Sequence, residues 1–111
     1  MKLRLEENML RLRLSEEEIA QFAQTGRVAY TLRLGPDPSH ALTYALETLP
    51  NADPAAELRL RYEVGRLTVQ LPAAAAREWT DTKKVGLAAQ MDVGQGAELR
   101  IVVEKDLGYQ H

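Results

Sequence analysis

Leu-Arg-Leu-Arg-Leu-Ser-Glu-Glu-Glu-Ile-Ala-Gln-Phe-Ala-Gln-Thr-Gly-Arg-Val, residues Leu10 to Val28, changes its period part-way along, and that change decides the fold. Leu10, Leu12 and Leu14 alternate with Arg11 and Arg13, the period of a strand with one buried and one wet face. Ser15 followed by Glu18 then reads as a capping box, and Glu16 and Glu17 stand where the positive end of a helix dipole favours anions. Ile19, Phe22 and Ala23 supply a helical apolar stripe, and Gly26 falls where a helix C-cap belongs. A helix of about ten residues is marginal alone, so its stripe must pack on the leucine face of a sheet.

The same plan returns 57 positions later. Leu67 to Val85 is again a strand-like run, a helix-like run, an aromatic and a polar exit. Pro72 stands in place of Ser15, Ala73 to Ala76 in place of the acidic turn, and Trp79 in place of Phe22. Proline is tolerated in a first helical turn and alanine is the best helix former, so different residues reach the same end. Without a gap, Leu3, Arg4, Glu6, Leu10, Leu14, Thr25, Val28, Leu42 and Glu47 match Leu60, Arg61, Glu63, Leu67, Leu71, Thr82, Val85, Leu99 and Glu104. Asn8 and Gly65 both fall between alternating runs, and both tolerate the positive φ of a hairpin turn. The pattern predicts a tandem repeat, residues 1–54 and 58–111, within one domain spanning 1–111.

With 111 residues, 45% hydrophobic and 27% charged, the chain is long enough for a globular core. A net charge of -2 gives no basic excess of the kind that draws a protein onto nucleic acid or an anionic membrane. Cysteine is absent, which removes disulfides, thiolate nucleophiles and thiolate metal sites together. The opening Met-Lys-Leu-Arg-Leu-Glu lacks a signal-peptide apolar core, and no run approaches the ~20 residues of a membrane span. The expectation is a cytoplasmic protein.

In chain order, Lys2 to Glu6 and Met9 to Leu14 read as a hairpin, followed by a helix over Ser15 to Gln24. Arg27 to Leu34 follows with Val28, Tyr30, Leu32 and Leu34 on one face. Gly35-Pro36-Asp37-Pro38-Ser39 is a loop, and Ala41 to Thr48 alternates again. Leu49 to Pro54 is a joint too short to act as a flexible linker. The second copy runs Glu57 to Glu63, Arg66 to Leu71, a helix from Pro72 to Thr80, Val85 to Met91, a loop Asp92 to Gly96, and a last strand carrying Leu99, Ile101 and Val103. Asp106 to His111 reads as a frayed tail. The fold class is α+β: a ββαββ unit used twice, pseudo-two-fold, with a mostly antiparallel sheet and two short helices. Whether the sheet closes into a barrel is left open by the sequence.

The opening hairpin, the Leu-Pro-Ala-Ala-Ala-Ala-Arg-Glu-Trp helix start (Leu71 to Trp79), the Val85-Gly86-Leu87 strand and the closing Val103-Glu104-Lys105-Asp106 together resemble a family of small bacterial proteins known only as a domain of unknown function. That resemblance spans most of the chain and implies no activity and no catalytic residue. The family's tail runs into a Phe and a Cys, whereas Leu107-Gly108-Tyr109-Gln110-His111 follows here.

The search for chemistry is mostly negative. His40 borders the proline loop and His111 is the last residue, so neither joins a metal-ligand spacing or a nucleophile set. No phosphate-binding glycine loop is present, and Gly94-Gln95-Gly96 reads as a strand-to-strand turn. Asp92, Gln95 and Glu98 match no cation loop. No cofactor is implied.

The polar sides of the strands carry more content. Arg4, Arg11, Arg13, Arg33, Arg59, Arg61 and Arg100 are the candidate ligand-binding residues, accompanied by Lys2 and interspersed with Glu6, Glu47, Glu63 and Glu104. On an open sheet they form a wet, mixed-charge surface. On a sheet curled inward they line a cavity for phosphates or carboxylates. The second arrangement faintly resembles the triphosphate-tunnel enzymes, but their Glu-x-Glu-x-Lys opening is missing. The leading functional expectation is a non-enzymatic interaction module that self-associates or takes a protein partner. The alternative is an anionic small-molecule site, a phosphate- or polyphosphate-binding protein or hydrolase. Tyr30, Tyr44 and Trp79 fall on the apolar side, which disfavours single-stranded nucleic acid.

Overall fold

A computed structural model describes residues 1–50, 53 and 57–106. Strands β1 (Lys2–Glu6) and β2 (Met9–Leu14) form the opening hairpin, turned by Asn8 at φ 51°. Helix α1 (Glu16–Thr25) starts on the expected capping box. The Glu18 N–H donates to Ser15 Oγ at 3.3 Å, and the Ser15 N–H donates to Glu18 Oε1 at 2.9 Å. It ends on Gly26 at φ 77°, whose N–H reaches the Phe22 carbonyl at 2.8 Å. Strands β3 (Arg27–Arg33), β4 (Ala41–Leu49), β5 (Arg59–Glu63) and β6 (Arg66–Pro72) follow, with Gly65 at φ 77° where Asn8 stood. Helix α2 (Ala73–Asp81) has Pro72 at its N-cap and no side-chain cap bond. Strands β7 (Gly86–Gly94) and β8 (Ala97–Lys105) close the chain around a turn at Gln95 and Gly96, so β7 absorbs most of the expected loop.

The sheet does not close into a barrel. Two four-stranded sheets form, the first in the order β1-β2-β8-β7 and the second in the order β3-β4-β6-β5. Four of the pairings are antiparallel hairpins, as short connections require. The two central pairings, β2 with β8 and β4 with β6, are parallel. Each sheet therefore takes one hairpin from each half of the chain, and neither half builds a sheet of its own.

The repeat is visible in the register itself. Met9 faces Arg100 across β2 and β8, and Arg66, 57 places after Met9, faces Thr43, 57 places before Arg100. The β1–β2 and β5–β6 registers correspond in the same way, Lys2 facing Arg13 and Arg59 facing Gln70. The gapless match fails at β7. Arg27 pairs with Glu47, but Gly86 rather than Lys84 pairs with Glu104, so the exit from α2 is two residues longer and the following turn two residues shorter. Val28 corresponds to Leu87, not to Val85. The cause is the indole of Trp79, whose Nε1–H donates to the Val85 carbonyl at 3.1 Å and holds that extra length of chain against α2.

One apolar cluster joins both sheets and both helices: Leu10, Leu12, Leu14, Phe22, Val28, Leu46, Val69, Leu71, Trp79, Ile101 and Val103 are all buried within it. Phe22 and Trp79 are both sealed from water. Ala23, expected on the α1 stripe, is exposed, and Ile19 and Phe22 alone hold that face. The expected apolar face of β3 is buried at Val28 and open beyond it, with Tyr30, Leu32 and Leu34 exposed by 42%, 51% and 65%. The expected frayed tail begins with an anchored residue, since the Asp106 N–H donates to the Leu14 carbonyl at 2.7 Å. Residues 107–111 and, in the joint between copies, residues 51, 52 and 54 lie outside the described residues.

Candidate binding surfaces

Strand parity places every candidate arginine on an outward face, because the leucines opposite them hold the core. Arg4, Arg11, Arg13 and Arg100 share the outer face of the first sheet. Arg33, Arg59 and Arg61 share that of the second. No inward arginine cavity forms among the described residues, so the tunnel-like arrangement is replaced by two separate open faces.

On the first sheet the basic residues stand directly opposite one another. Lys2 pairs in register with Arg13, and Arg4 with Arg11, giving two rows of paired cations separated along the strands by about 7 Å. Like charges directly opposite are destabilising. Glu104 on β8 compensates one row and part of the other: Arg13 donates to Glu104 Oε1 from Nη2 at 2.8 Å and from Nε at 3.1 Å, and Arg11 Nε lies 3.7 Å from the same oxygen. Arg4 reaches Glu6 at 3.3 Å and Lys2 reaches Asp106 at 3.6 Å. Among the described residues, Arg11 Nε is the buried side-chain nitrogen left without a hydrogen bond. Lys2, Leu3, Arg4, Arg11 and Arg13 line a depression of about 430 Å³. Lys2 completes this group although the sequence reading kept it outside the candidate set.

The second sheet carries the same positions with different chemistry. Arg59 and Arg61 stand where Lys2 and Arg4 stand, but Thr68 and Gln70 replace Arg11 and Arg13. Gln70 donates to Glu47, the counterpart of Glu104, at 3.2 Å. Arg27 lies 3.6 Å from Glu47, Arg61 lies 3.5 Å from Glu63, and Arg33 donates to the Gly35 carbonyl at 3.5 Å. Arg33 is thus at the far end of β3 from Arg59, and the three arginines of this face do not converge.

The edges of the sheets differ as well. Strands β1 and β5 are five residues long with charge at alternate positions, and β7 carries a bulge between Asp92 and Gly94; all three are ordinary ways of blunting an edge. Strand β3 has no such protection. The Leu34 N–H donates to the His40 carbonyl and the Thr48 N–H to the Gly26 carbonyl, so the even-numbered residues of this hairpin pair with β4. Arg27, Ala29, Thr31 and Arg33 turn their main-chain groups outward. The hydroxyl of Thr25 satisfies Arg27, leaving Ala29, Thr31 and Arg33 open.

A polar knot lies behind β3. The Met1 ammonium, fully buried, pairs with Glu18 Oε2, which also accepts from Tyr30 Oη at 2.6 Å, and Tyr44 Oη donates to the Met1 carbonyl at 3.1 Å. Burial acts to raise the Glu18 carboxyl, but the bonds from the ammonium, the Ser15 N–H and the Tyr30 hydroxyl outweigh it and hold the pKa down at about 2. The same carboxylate pushes the Tyr30 hydroxyl upward. His40 packs on Gly35 in a loop whose Asp37 accepts from the Ser39 N–H and hydroxyl, bonds that lower the Asp37 carboxyl. Among the described residues no group of His, Asp and Glu is arranged to hold a metal ion.

Residues 1–109 match the family model described as "Family of unknown function (DUF7009)". The chain belongs to that family. The match spans both copies of the ββαββ layout, so for this member of DUF7009 the family unit includes both sheets and the interlocked halves. Neither the comparison with curated proteins nor that with solved structures found a match. No helix among the described residues is long and apolar enough to cross a membrane.

Proposed function

We propose that this DUF7009 chain is a small cytoplasmic, single-domain interaction module whose partner is a second copy of itself, joined edge to edge through β3. One observation carries the reading: β3 is a sheet edge with open main-chain groups at Ala29, Thr31 and Arg33, and it bears the longest exposed apolar row among the described edge strands, Tyr30, Leu32 and Leu34. A two-fold axis through Thr31 sets Ala29 against Arg33 of the second copy and Thr31 against its own equivalent, and each such pair closes two N–H to carbonyl bonds. The same axis sets Tyr30 against Leu32 and Val28 against Leu34, so the apolar row meets itself and no arginine faces an arginine. A cysteine-free composition supports residence in a reducing compartment.

Light scattering coupled to gel filtration over a range of concentrations tests this. The expected result is a dimer at tens of micromolar that Leu32→Lys and Thr31→Pro each convert to a monomer with unchanged far-ultraviolet dichroism. A monomer at every concentration overturns it.

A further inference from the structure

Beyond self-pairing, we infer that the outer face of the first sheet binds a ligand carrying two or more linked phosphoryl groups, through Arg11 and Arg13 with Lys2 and Arg4. The argument rests on the molecule's own internal control. At the equivalent place on the second sheet the fold is held by Thr68 and by Gln70, and the neutral amide of Gln70 satisfies Glu47 at 3.2 Å. The one cation beside Glu47, Arg27 at 3.6 Å, comes from β3 on its other side, where the first sheet has Gly86, so the strand in the place of β2 supplies a neutral donor and no positive charge. The first sheet nevertheless places two guanidinium groups there, each directly opposite another cation, Arg13 against Lys2 and Arg11 against Arg4. These like-charge pairs share three carboxylates among four cations and have no counterpart on the second sheet, where Arg59 and Arg61 face Gln70 and Thr68.

The cations that line this patch and the carboxylates paired with them define the ligand. Lys2, Arg4, Arg11 and Arg13 supply four positive charges, and Glu6, Glu104 and Asp106 supply three negative ones, two of them at the rim. Glu104 orients Arg13 by accepting from both Nε and Nη2, and Arg11 Nε remains without a hydrogen bond, 3.7 Å from that carboxylate. An anion in the depression relieves both like-charge pairs. Guanidinium groups hold phosphoryl oxygens in a fork, and two rows about 7 Å apart suit an anion long enough to touch both. Among the described residues the face carries no aromatic ring on which a base would stack, which separates this chemistry from single-stranded nucleic acid.

Titration calorimetry with sodium tripolyphosphate, with succinate as a control for carboxylates and a single-stranded oligonucleotide as a control for nucleic acid, tests the assignment. The decisive variant is R11T/R13Q, which installs on the first sheet the two residues that stand at the corresponding positions of β6. Tripolyphosphate is expected to bind the parent one per chain, to weaken with added salt, and to lose at least tenfold in affinity in the variant. The variant is expected to stay folded, with unchanged far-ultraviolet dichroism, and to keep its oligomeric state. R59A/R61A on the second sheet should leave binding unchanged. Equal affinity in parent and R11T/R13Q, loss of binding in R59A/R61A, or preference for the oligonucleotide or succinate would each overturn the inference. Leu32→Lys, which tests self-pairing, should bind tripolyphosphate as the parent does, so the two readings fail separately.

Discussion

Phe22 and Trp79, one from each helix and 57 positions apart in the chain, meet edge to face with ring centroids 6.1 Å apart and planes inclined at 67°. Both are buried at the point where α1 and α2 touch, so this single contact fastens the two copies at the helical end of the core. The Lys105 ammonium lies 5.9 Å from the Trp79 ring and adds a cation over its face while donating to the Thr82 carbonyl.

Trp79→Ala should therefore cost about 3–5 kcal/mol, since it removes the largest buried side chain and leaves the Val85 carbonyl without its indole donor. A double-mutant cycle with Phe22→Leu should return a coupling of about 0.5–1.5 kcal/mol, the range for an aromatic pair beyond simple burial. Urea unfolding of the four proteins measures both.

The two helices differ at their starts. Ser15→Ala should destabilise by about 1 kcal/mol, because Ser15 Oγ caps the Glu18 N–H and its loss leaves only the Glu18 half of the capping box. Pro72→Ser should gain a few tenths of that or nothing, since α2 already starts on alanines in a buried setting. Chemical denaturation curves with equal m-values separate the two outcomes.

Glu18 sets an acid limit. Its carboxyl is held at about 2, below its ordinary value of 4.5, so the unfolded chain takes up the proton first as the pH falls. The stabilisation is complete above pH 4.5 and disappears as the pH falls toward 2. Glu18→Gln should lower stability by about 1–3 kcal/mol at neutral pH, because it strips a charge-assisted acceptor from the Met1 ammonium and from Tyr30. Melting temperatures from pH 6 to pH 2 should show the parent and variant curves converging below pH 4.5; a constant gap would refute the assignment.

The hairpin turns can be exchanged. Gly65→Ala forces a Cβ into φ 77° and to 3.2 Å from the Ala41 carbonyl, and should cost about 1–2 kcal/mol. Gly65→Asn should cost less, since Asn8 occupies the corresponding turn at φ 51°. Thermal melts of the two variants against the parent decide the order.

Much of this was legible from residue spacing. The leucines of β2, the capping box at Ser15, the left-handed Gly26, the seals at Phe22 and Trp79 and the breaker at Gly35 to Ser39 all act locally, and local chemistry is what a sequence displays. The identity of neighbours was not legible: a period of two says which face Leu12 uses, but not that Val103 of β8 lies beside it. The slip at Val85 was hidden because a valine falls at the expected place while the Trp79 indole, a tertiary contact, decides the length of the exit. For the arginines, parity gave the outward face correctly. It could not divide them between two sheets, and although it puts Lys2 on the same face it does not show that Lys2 stands opposite Arg13.

The way the strands are dealt out also bears on the order of assembly. The second sheet draws only on residues 27–72, an uninterrupted stretch, whereas the first joins β1 and β2 at the front of the chain to β7 and β8 at the back. Closing Leu10 onto Ile101 has to bridge nearly the whole polypeptide and is the costlier loop to form. During synthesis the second sheet can take shape as soon as β6 has emerged, and the opening hairpin then waits, its leucines uncovered, until the last strand arrives to clasp it.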